Sequence, residues 1–324
     1  MMSNYKKWVM LIGIGLIFIL GFLFFNTSNT KNATNLEVEN IEDDKWLGKG
    51  YGLQVNNDNS NSDSKEKGYL VMDKATDKLD VIFDNRGNNG KYILKVFYDY
   101  KEVEFNVDKN KKPRNSYIFT SSNLTSVTIP INLSNHIKKD NSAHNLTVSI
   151  FAAPTKHEKN IKGMTNFFGS TLNYELHYNK KGKEFKYNST FEPPAKLLNV
   201  PFQGLMINTD FNNFSKVTYP PHVLKVKKGE KFKLAYRAGK YDNINEYLIF
   251  GLLNWKQWNI DDKPYKQLKI DSTKIGYGTL EMTAPKKAGD YEFVAYIVPA
   301  PFQTRNDFNY SLDNAYRFTI EVSK

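Results

Sequence analysis

The 324-residue chain contains no cysteine. That absence excludes a disulfide scaffold, a thiol nucleophile, a cysteine zinc site and a lipidated-cysteine anchor, so stability has to come from packed cores. Motifs that carry common chemistry are missing as well. None of the five histidines, His136, His144, His157, His177 and His222, is spaced as a metal pair. No GxSxG surrounds a serine, and no glycine-rich phosphate loop occurs. The Asp58 to Glu66 stretch lacks the glycine at position six and the carboxylate at position twelve of a calcium loop. No cofactor or metal is therefore expected. The net charge of +11 is spread without a basic block of five or six residues, the densest clusters being KNKKPR at 109–114 and KVKKGEK at 225–231. Such an excess fits a solvated surface among anionic polymers and headgroups, and no nucleic-acid partner is expected.

What is present begins with an uninterrupted apolar run from Trp8 to Phe25, preceded by Lys6 and Lys7 and followed by a polar Asn/Thr/Ser stretch. At about 1.5 Å per residue the run spans roughly 27 Å, close to a bilayer's hydrocarbon core. The flanking charges favour a cytoplasmic tail at 1–7, a transmembrane anchor at 8–25 in contact with the lipid bilayer, and export of everything beyond. A cleaved signal peptide is the competing reading; cleavage after Ala33 would put Lys31 where a small residue is wanted. Export without cysteine in an Asn- and Lys-rich chain suits the cell envelope of a Gram-positive bacterium. Residues 26–45 read as a polar tether.

After the tether the pattern is all-β. Short runs rich in β-branched and aromatic residues alternate with Gly, Asn, Asp and Pro. Strands are predicted near 69–73, 79–84, 91–99, 102–107, 116–119, 126–132, 145–152 and 172–178. In the second half they are predicted near 203–207, 222–227, 231–237, 246–254, 265–270, 276–283, 290–298 and 314–322. Alternation supports the assignment: Ile93, Lys95 and Phe97 point one way, and Tyr92, Leu94, Val96 and Tyr98 the other. The proline-rich segment FEPPAKLLNVP at 191–201 reads as a linker. It divides the chain into a first β-sandwich domain at 46–194 and a second at 195–324.

The stretch TAPKKAGDYEFVAYIV, from Thr283 to Val298, resembles the E–F corner and F strand of immunoglobulin-like sandwich domains. The resemblance implies that Tyr291 turns its hydroxyl back to the corner backbone. It puts Phe293 where the second disulfide cysteine would stand, Phe232, Leu234 and Tyr236 on strand B, and Trp255 in the place of the strand-C core tryptophan. The resemblance lies at the level of architecture: two tandem immunoglobulin-like β-sandwich domains of an exported bacterial protein.

One loop stands out for function. Pro299 to Asp313 separates the presumed F strand from the last strand and carries Phe302, Arg305, Phe308 and Tyr310. Loops of that length without secondary structure tend to be functional or disordered, and aromatics with arginine dominate binding hot spots. Trp258 joins these four as a candidate if it shares a rim with the loop. The bland alternative is that Phe302 and Phe308 fold back to close the core. The expected function is a membrane-anchored, extracytoplasmic, non-catalytic binding or adhesion module whose partner is a cell-wall polymer or another envelope protein. The alternatives are a cell-envelope hydrolase of glycans or peptides, which needs two carboxylates facing across a cleft, and a structural spacer or assembly subunit, with the two sandwiches in series as a semi-rigid rod.

Overall fold

The computed structural model describes residues 36–41, 50–56, 69–72, 78–107, 112–133, 136–157, 159, 169–178, 183–187, 190–209, 223–303, 312–315 and 317–324. The apolar run at 8–25 lies outside them. The chain divides into Met1–Glu37 and a compact unit, Val38–Lys324. Among the described residues no helix is long and apolar enough to cross a membrane. Every element they contain is a strand.

The first half supplies β1 (Glu37–Asn40), β2 (Tyr51–Asn56), β3 (Tyr69–Met72), β4 (Lys78–Asn85), β5 (Gly90–Tyr98) and β6 (Lys101–Glu102). It continues with β7 (Asn106–Val107), β8 (Tyr117–Ser121), β9 (Thr125–Asn132), β10 (Ser142–Ala152), β11 (Gly169–Tyr178) and β12 (Lys183–Phe185). The second half supplies β13 (Lys196–Leu198), β14 (Gly204–Asn208), β15 (Val223–Lys227), β16 (Lys231–Gly239), β17 (Glu246–Leu253) and β18 (Lys256–Trp258). After these come β19 (Lys266–Lys269), β20 (Ile275–Thr283), β21 (Gly289–Pro299), β22 (Asp313–Asn314) and β23 (Phe318–Ser323).

The strands form four sheets. In the first half β1, β9, β4 and β2 lie side by side, with β7 on β9; opposite them run β3, β11, β10, β5 and β6, with β8 on β5 and β12 on β10. The second half repeats this order: β13, β20, β16, β14 against β15, β23, β21, β17, β18, with β19 on β17 and β22 on β21. In each half the edge strand of the larger sheet runs parallel to the last long strand, β3 on β11 and β15 on β23. This is immunoglobulin-like sandwich architecture built twice.

Tyr291 behaves as the resemblance implies: its hydroxyl donates to the Lys287 carbonyl at 2.8 Å, closing the corner before β21. Phe293 is fully buried and packs at 5.3 Å against Phe318, the rings tilted by 56°. Gly251 on β17 makes the room, since a Cβ there would lie 2.9 Å from the Phe293 ring. Tyr291→Phe removes only the corner bond, so it should lower stability by about 0.5–1.5 kcal/mol. Urea denaturation checks this, and a loss above that range would mean the ring has shifted as well.

Three features depart from the sequence reading. Glu37–Asn40 forms β1 inside the stretch read as tether; its side chains are all exposed, so the strand rests on backbone pairing to β9 and leaves no apolar period. Trp255 is not a core residue of the second sandwich. It follows β17 with φ 64 and points outward, into a cluster shared with the first sandwich. Finally, the sandwiches are not in series as a rod. The β5–β10 sheet packs face to face on the β17–β21 sheet, with Phe97 on Phe250 at 5.2 Å and Phe151 on Tyr296 at 6.1 Å.

Candidate functional site

The seam between the sandwiches is built from the alternation of its strands. Tyr92 turns into its own sandwich against Phe83 at 4.8 Å, so Ile93, Lys95 and Phe97 necessarily face the other way. On β17 the inward set is Tyr247, Ile249 and Leu253, and the seam set is Leu248, Phe250 and Leu252. Lys95 is fully buried there, its Nζ bonded to Glu102 and, at 2.5 Å, to the Asn115 carbonyl. Burial pushes the Lys95 ammonium down from its ordinary value, against the opposing pull of Glu102.

The seam is reciprocal. The β5–β6 hairpin pairs Phe97 with Glu102, and the β17–β18 hairpin pairs Leu252 with Gln257, so Tyr100 and Trp255 occupy the same turn position. Both turns are left-handed throughout, with φ 49 and 60 at Asp99 and Tyr100 and φ 46 and 64 at Asn254 and Trp255. Bulky side chains persist there only where the surroundings fix them. Each aromatic reaches across the seam: Tyr100 Oη donates to the Pro301 carbonyl at 2.6 Å, and Trp255 Nε1 to the Pro154 carbonyl at 2.8 Å. Those prolines in turn follow Ala300 and Ala153, which share φ 47 and 49. At the centre the Glu102 amide donates to Gln257 Oε1 at 2.8 Å and the Gln257 amide to Glu102 Oε2 at 3.0 Å. Residue i meeting j while j meets i is the mark of a two-fold related, self-complementary interface.

At one rim of this seam lies a cleft of about 160 Å³ lined by Asp99, Lys101, Lys138, Ala143, His144, Phe185, Lys186, Tyr187, Tyr265 and Phe302. Phe302 is half-buried; it stacks on Tyr187 at 4.4 Å and 17° and meets Tyr100 edge-on at 5.6 Å. Tyr187 itself stays 38% exposed. A neighbouring trough of about 610 Å³ shares Lys101 and Tyr265 with the cleft and adds Glu192, Asp261, Lys263 and Lys266. Sequence reasoning had no signal for Lys186, Tyr187 or Tyr265, which sit in short polar segments and converge only through packing.

His144 is held between two carboxylates, Nδ1 at 2.8 Å from Asp99 and Nε2 at 3.2 Å from Asp140. Burial alone would lower its pKa, but the two aspartates outweigh burial and the imidazole is raised above its ordinary value. A raised folded value means that this contribution is full below the unfolded histidine value, near 6.5, and is lost as pH rises through the folded one. Stability should therefore decline across that window, and His144→Asn should flatten the decline. Urea midpoints measured from pH 5 to pH 9 check it. With both ring nitrogens engaged by carboxylates and no serine, threonine or cysteine nucleophile among the residues lining the cleft, the group fixes charge rather than relaying protons.

Of the other candidates, Trp258 lines a separate recess of about 310 Å³ with Gln257, Asn259, Asp262 and Glu281, its Nε1 donating to the Thr283 carbonyl at 2.9 Å. It does not line the Phe302 cleft. Arg305, Phe308 and Tyr310 lie outside the described residues. Asp261 and Asp262 form a left-handed turn, φ 51 and 60, in which Asp261 accepts the Glu281 amide at 2.8 Å and binds Lys266. The turn accounts for Asp261 without chemistry. Among the described residues no group of three or more His, Asp or Glu side chains could hold a metal ion.

No protein-family model matches the chain, and no curated protein matches it. Among solved structures it is similar to the CARDB domain of a Pyrococcus furiosus protein, solved with di-metal ions, at 15% identity over 42% of this chain and 95% of that one, TM-score 0.25. The C-terminal domain of the Streptococcus agalactiae antigen I/II polypeptide BspA is similar at 9% identity over 84% and 100%, TM-score 0.22. The Pseudomonas aeruginosa CupB2 chaperone is similar at 7% identity over 78% and 98%, TM-score 0.24. At these scores the likenesses leave the function of the chain to be argued from its own residues.

Proposed function

We propose that the chain is a membrane-tethered, extracytoplasmic binding module of the bacterial cell envelope, non-catalytic, with the seam cleft as its recognition site. The observation that carries the reading is the convergence of Phe185, Tyr187, Tyr265 and Phe302 with three lysines on one rim, a surface that exists only because the two sandwiches pack together. Aromatic anchors ringed by polar groups are the composition of binding sites. A hydrolase reading has less support, because Asp99 and Asp140 are both committed to His144 and Asp261 to Lys266. The tether rests on the Trp8–Phe25 run and its two preceding lysines.

The test is co-sedimentation of the full-length chain, in detergent micelles, with purified cell-envelope sacculi. Retention of the wild type, and its loss in the Tyr187→Ala/Lys186→Gln double variant, is the expected result. Failure of the wild type to sediment would overturn the reading.

A further inference from the structure

Resting on that reading, we propose that the seam cleft recognises an acidic saccharide chain, a sugar ring stacked on the exposed aromatic surface with its carboxylate held by Lys101, Lys138 and Lys186. Three properties of the cleft lead there. The first is a platform that is both exposed and fixed: Tyr187 is backed by Phe302 at 4.4 Å and by Phe191 at 6.1 Å, edge-on. A ring held from behind can accept the flat face of a sugar without losing rotamer freedom on binding.

The second property is charge. Lys101, Lys138 and Lys186 outnumber the acids beside them: Asp99 accepts from His144 at 2.8 Å and from the Asn145 amide at 3.0 Å and lies 3.8 Å from Lys138, and Glu246 is engaged by the Tyr187 hydroxyl. The acids of the adjoining trough are likewise engaged, Asp261 by Lys266 and Glu192 by Lys263 at 3.7 Å. The cleft thus presents cations to an incoming group while its carboxylates are bonded within the protein. The third is shape. The cleft continues into the trough through the shared Lys101 and Tyr265, a run suited to several linked units rather than one enclosed molecule. A nucleic-acid strand would want repeated platforms and arginine forks; the lining residues of cleft and trough include no arginine.

The test is calorimetric titration of the full-length chain in detergent micelles with oligogalacturonate, a neutral maltooligosaccharide, polyglutamate and single-stranded DNA. Oligogalacturonate should bind at least about tenfold more tightly than any of the other three. Tyr187→Ala should weaken it about tenfold, and Lys186→Gln should weaken it and reduce its salt dependence. Lys186 is exposed, so that variant reports on the site even if Tyr187→Ala unfolds. Polyglutamate binding equally well and indifferent to Tyr187→Ala would reduce the cleft to a charged patch and overturn the proposal. Tighter binding of DNA, or no binding of oligogalacturonate, would also overturn it. Sedimentation with sacculi in the absence of oligogalacturonate binding would sink this inference and leave the binding-module reading standing.

Discussion

Trp255→Ala should lower the unfolding free energy by about 3–5 kcal/mol, the range for deleting a large buried aromatic. The ring is 8% exposed and lies between the sandwiches, 4.8 Å from Phe151 and under the Arg317 guanidinium at 4.7 Å. Removing it opens a cavity in the seam cluster and leaves the Pro154 carbonyl without its donor. Backbone conformation adds a second expectation. At φ 64 an alanine carries the left-handed penalty of about 1 kcal/mol that glycine escapes, so Trp255→Gly should be less damaging than Trp255→Ala despite removing more. Trp255→Phe, which keeps a ring in the cluster and loses the hydrogen bond, should be the least damaging of the three. Urea melts of the three variants decide it. An alanine variant within about 1 kcal/mol of wild type, the scale of one hydrogen bond, would show that the seam is a weak contact between independent sandwiches.

The reciprocity of the seam extends this to Tyr100, which holds the equivalent turn position and reaches the equivalent proline from the other side. Both aromatics cap one continuous apolar cluster, and the sandwiches on either side of it are joined by a strand-poor linker. Glu192 in that linker donates to the Gln267 carbonyl at 3.1 Å, so the connection is docked on β19 rather than swinging free. A shared cluster and a docked linker make the compact unit one cooperative body, which the cleft requires, because its lining comes from both sandwiches.

Most strands were legible because a half-buried strand imprints a two-residue period. The seam was not, and particular residues explain why. On β10 the seam face reads Asn145, Thr147 and Ser149, and on β5 it includes Lys95, so the pattern is that of a solvated face. All four are buried, satisfied by partners such as the Asn173 amide oxygen for Thr147 at 2.8 Å and the Pro301 carbonyl for Asn145 at 2.8 Å. A signal did exist on the other side. Tyr247 to Leu253 and Phe293 to Val298 are nearly continuous apolar runs, the pattern of strands covered on both faces. The repeat was also written in the chain, as Asp99-Tyr100-Lys101-Glu102 against Asn254-Trp255-Lys256-Gln257, each later answered by an Ala-Pro pair. Phe302 was found through its loop, whereas Tyr187 and Lys186 belong to a polar segment whose position is set only by tertiary packing.

Arg317→Met should be as costly as the tryptophan change, about 3–5 kcal/mol, because it strands a buried charge. Arg317 Nε binds Glu292 at 2.6 Å, and its two Nη groups donate to the carbonyls of Ala152, Ala153 and Lys156 in the first sandwich at 2.7–2.9 Å. Glu292 is 2% exposed and also accepts from Thr319 at 2.9 Å, a bond that satisfies an oxygen without neutralising its charge. Methionine preserves much of the side-chain volume over Trp255 but takes the donors from three carbonyls and the guanidinium from Glu292, whose Oε1 keeps Thr319 and lies 3.5 Å from His157. Adding Glu292→Gln to Arg317→Met removes the stranded charge, so the double variant should regain more than half of the loss. Arg317→Lys should not rescue, since an ammonium cannot reproduce the planar fork that serves the carboxylate and three carbonyls at once. The double-mutant cycle, read by urea denaturation, separates the two roles. If the double variant is no more stable than Arg317→Met alone, the loss lies in the carbonyl contacts that join the sandwiches, and Glu292 is a bystander.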